Sequence, residues 1–114
     1  MDLFSNLSES VKNNLTEVQK LFDEYQKKNF PVRTPEFFCL ELNGEAGELA
    51  NAEKKKWKGK DVNDNIFKEE AADVFITLMN YANSRNINLS EAVKEKLLTI
   101  EKTRQELDEK GEEY

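Results

Sequence analysis

Gly44-Glu45-Ala46-Gly47-Glu48-Leu49-Ala50 and Glu69-Glu70-Ala71-Ala72-Asp73-Val74 are the two stretches whose reading decides this chain. Each sets two carboxylates three residues apart, Glu45 with Glu48 and Glu70 with Asp73. On an α-helix the members of such a pair project from one face. Leu, Ala, Val, Ile and Phe bracket both pairs, a setting in which charge is costly to bury unless something compensates it. Spacing alone decides little. In a chain with 23 acidic residues the same step recurs at Glu106–Glu109 and Glu109–Glu112, where the polar surroundings point to a solvated helix end. The apolar setting is what separates the inner pairs.

Around Glu70 the pattern is helical. Phe67, Ala71, Val74, Leu78 and Tyr81 form one apolar stripe, and Ala72, Phe75, Ile76 and Met79 form a second. Between them runs a narrow polar line, Glu70, Asp73, Thr77 and Asn80. A solvated helix carries one apolar face and one broad polar face; a polar line flanked by apolar residues on both sides predicts cover by other helices and carboxylates in a partly buried cleft. The stretch around Glu45 repeats the arrangement. Phe38, Leu42, Ala46 and Leu49 make the stripe, and Glu41, Glu45 and Glu48 run beside it. Gly44 and Gly47 interrupt that helix at a cost of roughly 1 kcal/mol each relative to alanine. Two readings stand for them: a close helix approach or room for a ligand, and tolerated packing glycines.

The same periodicity extends to four helices. The first spans about Ser8 to Lys28, on the stripe Leu7, Val11, Leu15, Val18, Phe22 and Tyr25. Pro31 marks a break, and Thr34-Pro35 reads as N-cap and first-turn proline of the second helix, which continues to about Trp57. A polar loop carrying Gly59 leads to a third helix ending near Ser84. The turn Arg85-Asn86-Ile87-Asn88 follows, and Ser90 is the expected cap of a fourth helix reaching about Lys110. The acidic end, about 108–114, is expected to fray. No strand, repeat or domain linker is visible, so residues 1–114 read as one all-α domain, a four- to five-helix bundle. A core of this length is small, and assembly as an oligomer would bury more surface.

Composition narrows the function classes. Charged residues make up 35% and hydrophobic residues 38%, and the net charge of −6 argues against nonspecific nucleic-acid binding. No run approaches the roughly 18 apolar residues of a membrane span. The start, Met-Asp-Leu-Phe-Ser-Asn, lacks the basic and apolar regions of a signal peptide, so a cytoplasmic protein is expected. There is no histidine, which excludes histidine-based zinc sites, Ser-His-Asp triads and histidine general bases. Cys39, the single cysteine, reads as a small core residue rather than a nucleophile. Chemistry must then come from carboxylates, lysines and metal. Four converging carboxylates suit a hard divalent cation, Mg²⁺ with Mn²⁺ as a substitute, better than zinc. Two helices that each supply an acidic pair can build such a site inside a bundle. Glu41 shares the inner line one turn away, and Glu69 is expected to be solvated.

Directly after the acids of the second helix comes Lys54-Lys55-Lys56-Trp57-Lys58-Gly59-Lys60, the one strongly basic run of an acidic protein. Its cations can complement a helix C-terminus, or some of them can bind a triphosphate. Trp57 can stack on a base or cap the core.

The Glu-x-x-Glu step, the basic linker and Glu69-Glu70-Ala71-Ala72-Asp73-Val74 together resemble the all-α nucleoside triphosphate pyrophosphohydrolases of the MazG-like superfamily. Asn86-Ile87-Asn88-Leu89-Ser90-Glu91-Ala92-Val93, followed by Lys96, also looks like that family's turn into its last helix. The likeness covers roughly residues 35 to 104. The chain has Gly44-Glu45 where many members have a double Glu, and a dCTP-hydrolysing branch resembles it there. On the last helix Ile100 and Thr103 stand where members often carry Asn and Arg, with Arg104 one residue later.

The resemblance implies Mg²⁺ held by Glu45, Glu48, Glu70 and Asp73. It implies cleavage of a nucleoside triphosphate to monophosphate and pyrophosphate, in a dimer or tetramer whose site lies near a subunit interface. Glu48 or Glu45 is the expected water-orienting base. Lys54, Lys55, Lys58 and Lys96 are the expected phosphate contacts, with Trp57 beside the substrate. Two other readings compete: a phosphoribosyl-ATP pyrophosphohydrolase of the same fold, and a non-catalytic helical interaction module.

Overall fold

The computed structural model describes residues 2–114, and all regular structure among them is helical. Helix α1 (Leu3–Ser10) passes through a π-helical turn (Val11–Leu15) into α2 (Thr16–Asn29); α3 (Pro35–Trp57), α4 (Asp64–Ser84) and α5 (Leu89–Glu109) follow. The helix starts are written in their caps. Asp2 accepts from the Ser5 amide at 2.7 Å, Thr34 from Phe37 at 3.3 Å, and Asn63 from Asn65 at 2.9 Å, each satisfying an amide that the helix leaves unpaired. At α5 the cap is Asn88, which accepts from the Glu91 amide at 3.2 Å, and not the expected Ser90. Ser90 is buried one residue inside the helix, and its hydroxyl donates to the Val11 carbonyl at 3.4 Å instead.

Two glycines end helices for a conformational reason. Gly59 (φ 84°) and Gly111 (φ 71°) lie in the left-handed region. The amides after them reach back, Lys60 to the Lys55 carbonyl and Glu112 to the Leu107 carbonyl, the double-bonded closure that glycine permits without a Cβ penalty. The helix includes Asp108 and Glu109, and 112–114 lie beyond the closing turn.

Contacts divide the chain into two compact units: residues up to Leu21 together with Ile87–Tyr114, and Phe22–Asn86. The first unit gathers α1, the π turn, the start of α2, and α5. Gln19, buried on α2, grips the approach to α5 with both ends of its amide: Nε2 donates to the Ile87 carbonyl at 2.7 Å and Oε1 accepts from the Leu89 amide at 3.0 Å.

The second unit is built on α3 and α4, an antiparallel hairpin, with the end of α2 joined to it by the edge-on Phe22–Phe75 contact at 6.1 Å. Phe38, Ala52, Met79 and Ala82 are buried; the two large ones are worth about 1.5–3 kcal/mol each. On α4 the most buried positions include Thr77 and Asn80 from the polar line, while Phe75, Ile76 and Leu78 stay exposed. The polar line faces α3, and of the second apolar stripe Met79 alone is buried beside it.

Three expectations change here. Cys39 is exposed, not a core residue, because the buried face of α3 passes through Phe38 instead. Trp57 is 89% exposed and caps no core. A Cβ at Gly44 or Gly47 would meet nothing within 4 Å, so neither glycine serves a close helix approach within the chain. No helix among the described residues is long and apolar enough to cross a membrane.

Candidate metal centre

The seam between α3 and α4 carries the acidic lines face to face. At one level Thr77 donates to Glu41 Oε1 at 3.3 Å. One turn along, one carboxylate oxygen from each of Glu45, Glu70 and Asp73 lies within 4.8 Å of the other two. Oxygens on opposite sides of one divalent ion stand about 4–5 Å apart, so this separation suits a single ion with three carboxylate ligands. Glu48 lies outside that trio but close enough to act on Glu70. Glu45 and Glu70 are half-buried, whereas Glu48 and Asp73 are exposed, so the expected partly buried cleft holds for one carboxylate of each pair.

No base among the described residues forms an ion pair with this cluster. The ion pairs among the described residues are Lys27–Asp23, Lys56–Asp64, Arg104–Glu101 and Arg104–Asp108. Glu45 Oε2 and Glu70 Oε2 are shielded from solvent without a hydrogen-bond donor, because what faces them is other carboxylates. Removal from water pushes Glu70 up to about 7, and hydrogen bonding and repulsion from Glu48 and Glu45 push the same way. Glu45 is also raised, first by removal from water and then by Asp73, Glu48 and Glu41, while a hydrogen bond with Glu70 opposes the rise. Both trends describe one arrangement: shielded carboxylates that repel one another hold protons more tightly than free ones. A hard divalent cation bound there would relieve that repulsion and give both stranded oxygens a partner. The all-oxygen donor set fits such an ion.

Beside the cluster a cleft of about 300 Å³ is lined by Glu48, Glu70, Asn51, Lys55, Asp61 and Asn63, among others. Lys55 is thus the member of the basic run that shares a cavity with the acids. Lys54, Trp57 and Lys58 are exposed and do not line it. Lys56 pairs with Asp64 at 3.9 Å and lies over the Phe67 ring at 5.3 Å. Lys96 stands exposed on α5, in the other unit. Glu69 is exposed, as its polar setting implied. Asn51 and Asn63 went unmarked in the sequence, since a lone amide on a loop or helix has no diagnostic spacing. Asn80 had a signal, its place three residues after Thr77 on the polar line.

No protein-family model, no curated protein and no solved structure matches this chain, so the family likeness rests on the residues quoted for it.

Proposed function

We propose that this protein is a Mg²⁺-dependent nucleoside triphosphate pyrophosphohydrolase that converts a (d)NTP and water to the (d)NMP and diphosphate. One observation carries the reading: three carboxylates, with two stranded oxygens among them, meet within one ion's reach and form no ion pair among the described residues. A scaffold has no need of such a cluster, which destabilises the fold that holds it. Glu45, Glu70 and Asp73 hold the ion, and Glu48 stands at its edge. Bound there, the metal neutralises phosphate charge and lowers the pKa of a coordinated water. Glu48, exposed at the mouth of the cleft, orients or deprotonates the attacking water, and Lys55 meets phosphate oxygens from the same cavity. The sequence features shared with the MazG-like enzymes support the choice of the α–β bridge.

The working form is a homodimer or homotetramer in the cytoplasm. Leu40, at 74% exposed, with Phe75, Ile76 and Leu78 on the outer side of the hairpin, supplies apolar surface that another copy covers. The test is a panel of NTPs and dNTPs with Mg²⁺, scoring pyrophosphate against orthophosphate, with phosphoribosyl-ATP included. Pyrophosphate release from a nucleoside triphosphate supports the reading. Turnover of phosphoribosyl-ATP alone moves the protein to the other enzyme class, and no turnover of any substrate leaves the interaction module.

A further inference from the structure

At the Glu41 end of the acidic seam lie two cavities that share Asn80. One, of about 260 Å³, is walled by Gln26, Phe30, Pro31, Phe38, Asn80 and Ser84, among others. The other, of about 300 Å³, shares Arg33 with the first and brings in Phe37 and Glu41. Asn80 is 7% exposed, and its Oδ1 is shielded from solvent with no hydrogen-bond partner. A buried carbonyl oxygen without a donor is costly to keep, and a carboxamide offers an acceptor and a donor side by side in one plane. That is the complement of a nucleobase edge, which also pairs a donor with an acceptor. Phe30 and Phe38 give the cavity aromatic walls on which a flat ring can lie.

Position along the helix agrees. Asn80 stands seven residues beyond Asp73 on α4, a rise of about 10 Å. This is comparable to the reach from the α-phosphate of a nucleotide to the far edge of its base. Lys55 lies off the opposite end of the seam, in the cleft with Glu48 and Glu70. This end offers phosphate less: Lys27 is held by Asp23 at 2.8 Å, and Glu41 sets its negative charge beside Arg33 in the second cavity.

We propose that the cavities at Asn80 form the nucleobase subsite, with the Asn80 amide reading the base edge and the triphosphate running from Asp73 toward Lys55. This rests on the nucleotide reading above and adds to it the direction in which the substrate lies and the residue that selects its base.

Deoxynucleosides test it, since they carry the base without phosphate and need neither metal nor turnover. In ¹⁵N-labelled protein the Asn80 side-chain amide, assigned by its loss in Asn80→Leu, is expected to shift with at least one of the four. No shift with any of them overturns the subsite, even if triphosphates are hydrolysed. A shift in a protein that hydrolyses no triphosphate keeps the subsite and removes the hydrolase. In turnover, Asn80→Leu is expected to bring kcat/KM for the preferred dNTP about 10-fold closer to the others. Asn80→Asp, which keeps the shape and guards against misfolding, is expected to change which base is preferred. Unchanged preference in a folded Asn80→Asp protein overturns the assignment.

Discussion

Glu101 and Asp108 on α5 share Arg104, whose guanidinium nitrogens lie 2.6 Å and 2.7 Å from their oxygens. Glu45, Glu48, Glu70 and Asp73 form no ion pair among the described residues. Both groups are acids at helical spacing, yet their electrostatics have opposite signs. The Arg104 hydrogen bond holds Glu101 below the ordinary carboxylate range, while shielding and like charge push Glu70 up to about 7. The α5 acids are a closed account, neutralised on an exposed surface where such pairs contribute little. The seam acids have no such partner among the described residues. Spacing does not distinguish the two groups; the presence of an answering base does.

The sharpest way to break this contrast is to remove a seam acid. Asp73→Asn or Glu70→Gln is expected to lower kcat/KM for the preferred triphosphate at least about 100-fold, as loss of a metal ligand does. Near-native turnover by either purified variant removes the site assignment. The Arg104→Ala protein is expected to hydrolyse at the wild-type rate.

Metal should act on the seam alone. Saturating Mg²⁺, at about 100 times its Kd, is expected to stabilise the fold by about 2.7 kcal/mol, which raises Tm by roughly 10 °C in a chain of this length. The rise should vanish in a Glu45→Gln/Glu70→Gln double variant. Calorimetry showing no wild-type shift at millimolar Mg²⁺ would sink the preformed site.

Acidity separates the two regions by sign. Glu70 ordinarily titrates near 4.5 and here near 7, so between those values the folded chain binds more protons than the unfolded one. Metal-free stability should therefore fall as pH rises from about 4.5 to 7, and Mg²⁺ affinity should rise over the same window as the metal displaces the proton. Glu101, held low, gives the reverse: its contribution is present above 4.5 and is lost as pH falls below it. Thermal melts of wild type and Glu70→Gln across pH 4 to 8 read both, and a metal-free wild type that gains stability from pH 5 to 7 contradicts the shielded proton.

The smallest effect concerns the glycines. With nothing within 4 Å of an added Cβ, Gly44→Ala and Gly47→Ala should each stabilise the folded chain by about 1 kcal/mol through helix propensity. A loss of stability in denaturant titrations would place a close neighbour over that face.

Much of this was legible before any coordinates. Periodicity gave four helices, since apolar residues recurring at three and four leave few alternatives, and Thr34-Pro35 marked its helix start to the residue. The Ser90 cap failed because two cap-competent residues lie close together, and burial beneath the Val11 carbonyl decided between them. Cys39 failed because its neighbour Phe38 took the inward face. Of the site, the acids were visible through their apolar setting. The cavity was not: which lysine lines a cleft depends on where the α3–α4 loop turns back, and five basic residues within seven positions look alike in a string.

The sequence by itself determined that the chain is helical and that acids sit on two helix faces, because both follow from local spacing. Only the tertiary structure decided that those faces meet, that their oxygens come within one ion's reach, and that Asn80 is sealed into a cavity beyond them. Convergence is a property of two helices in contact, and neither helix carries it alone.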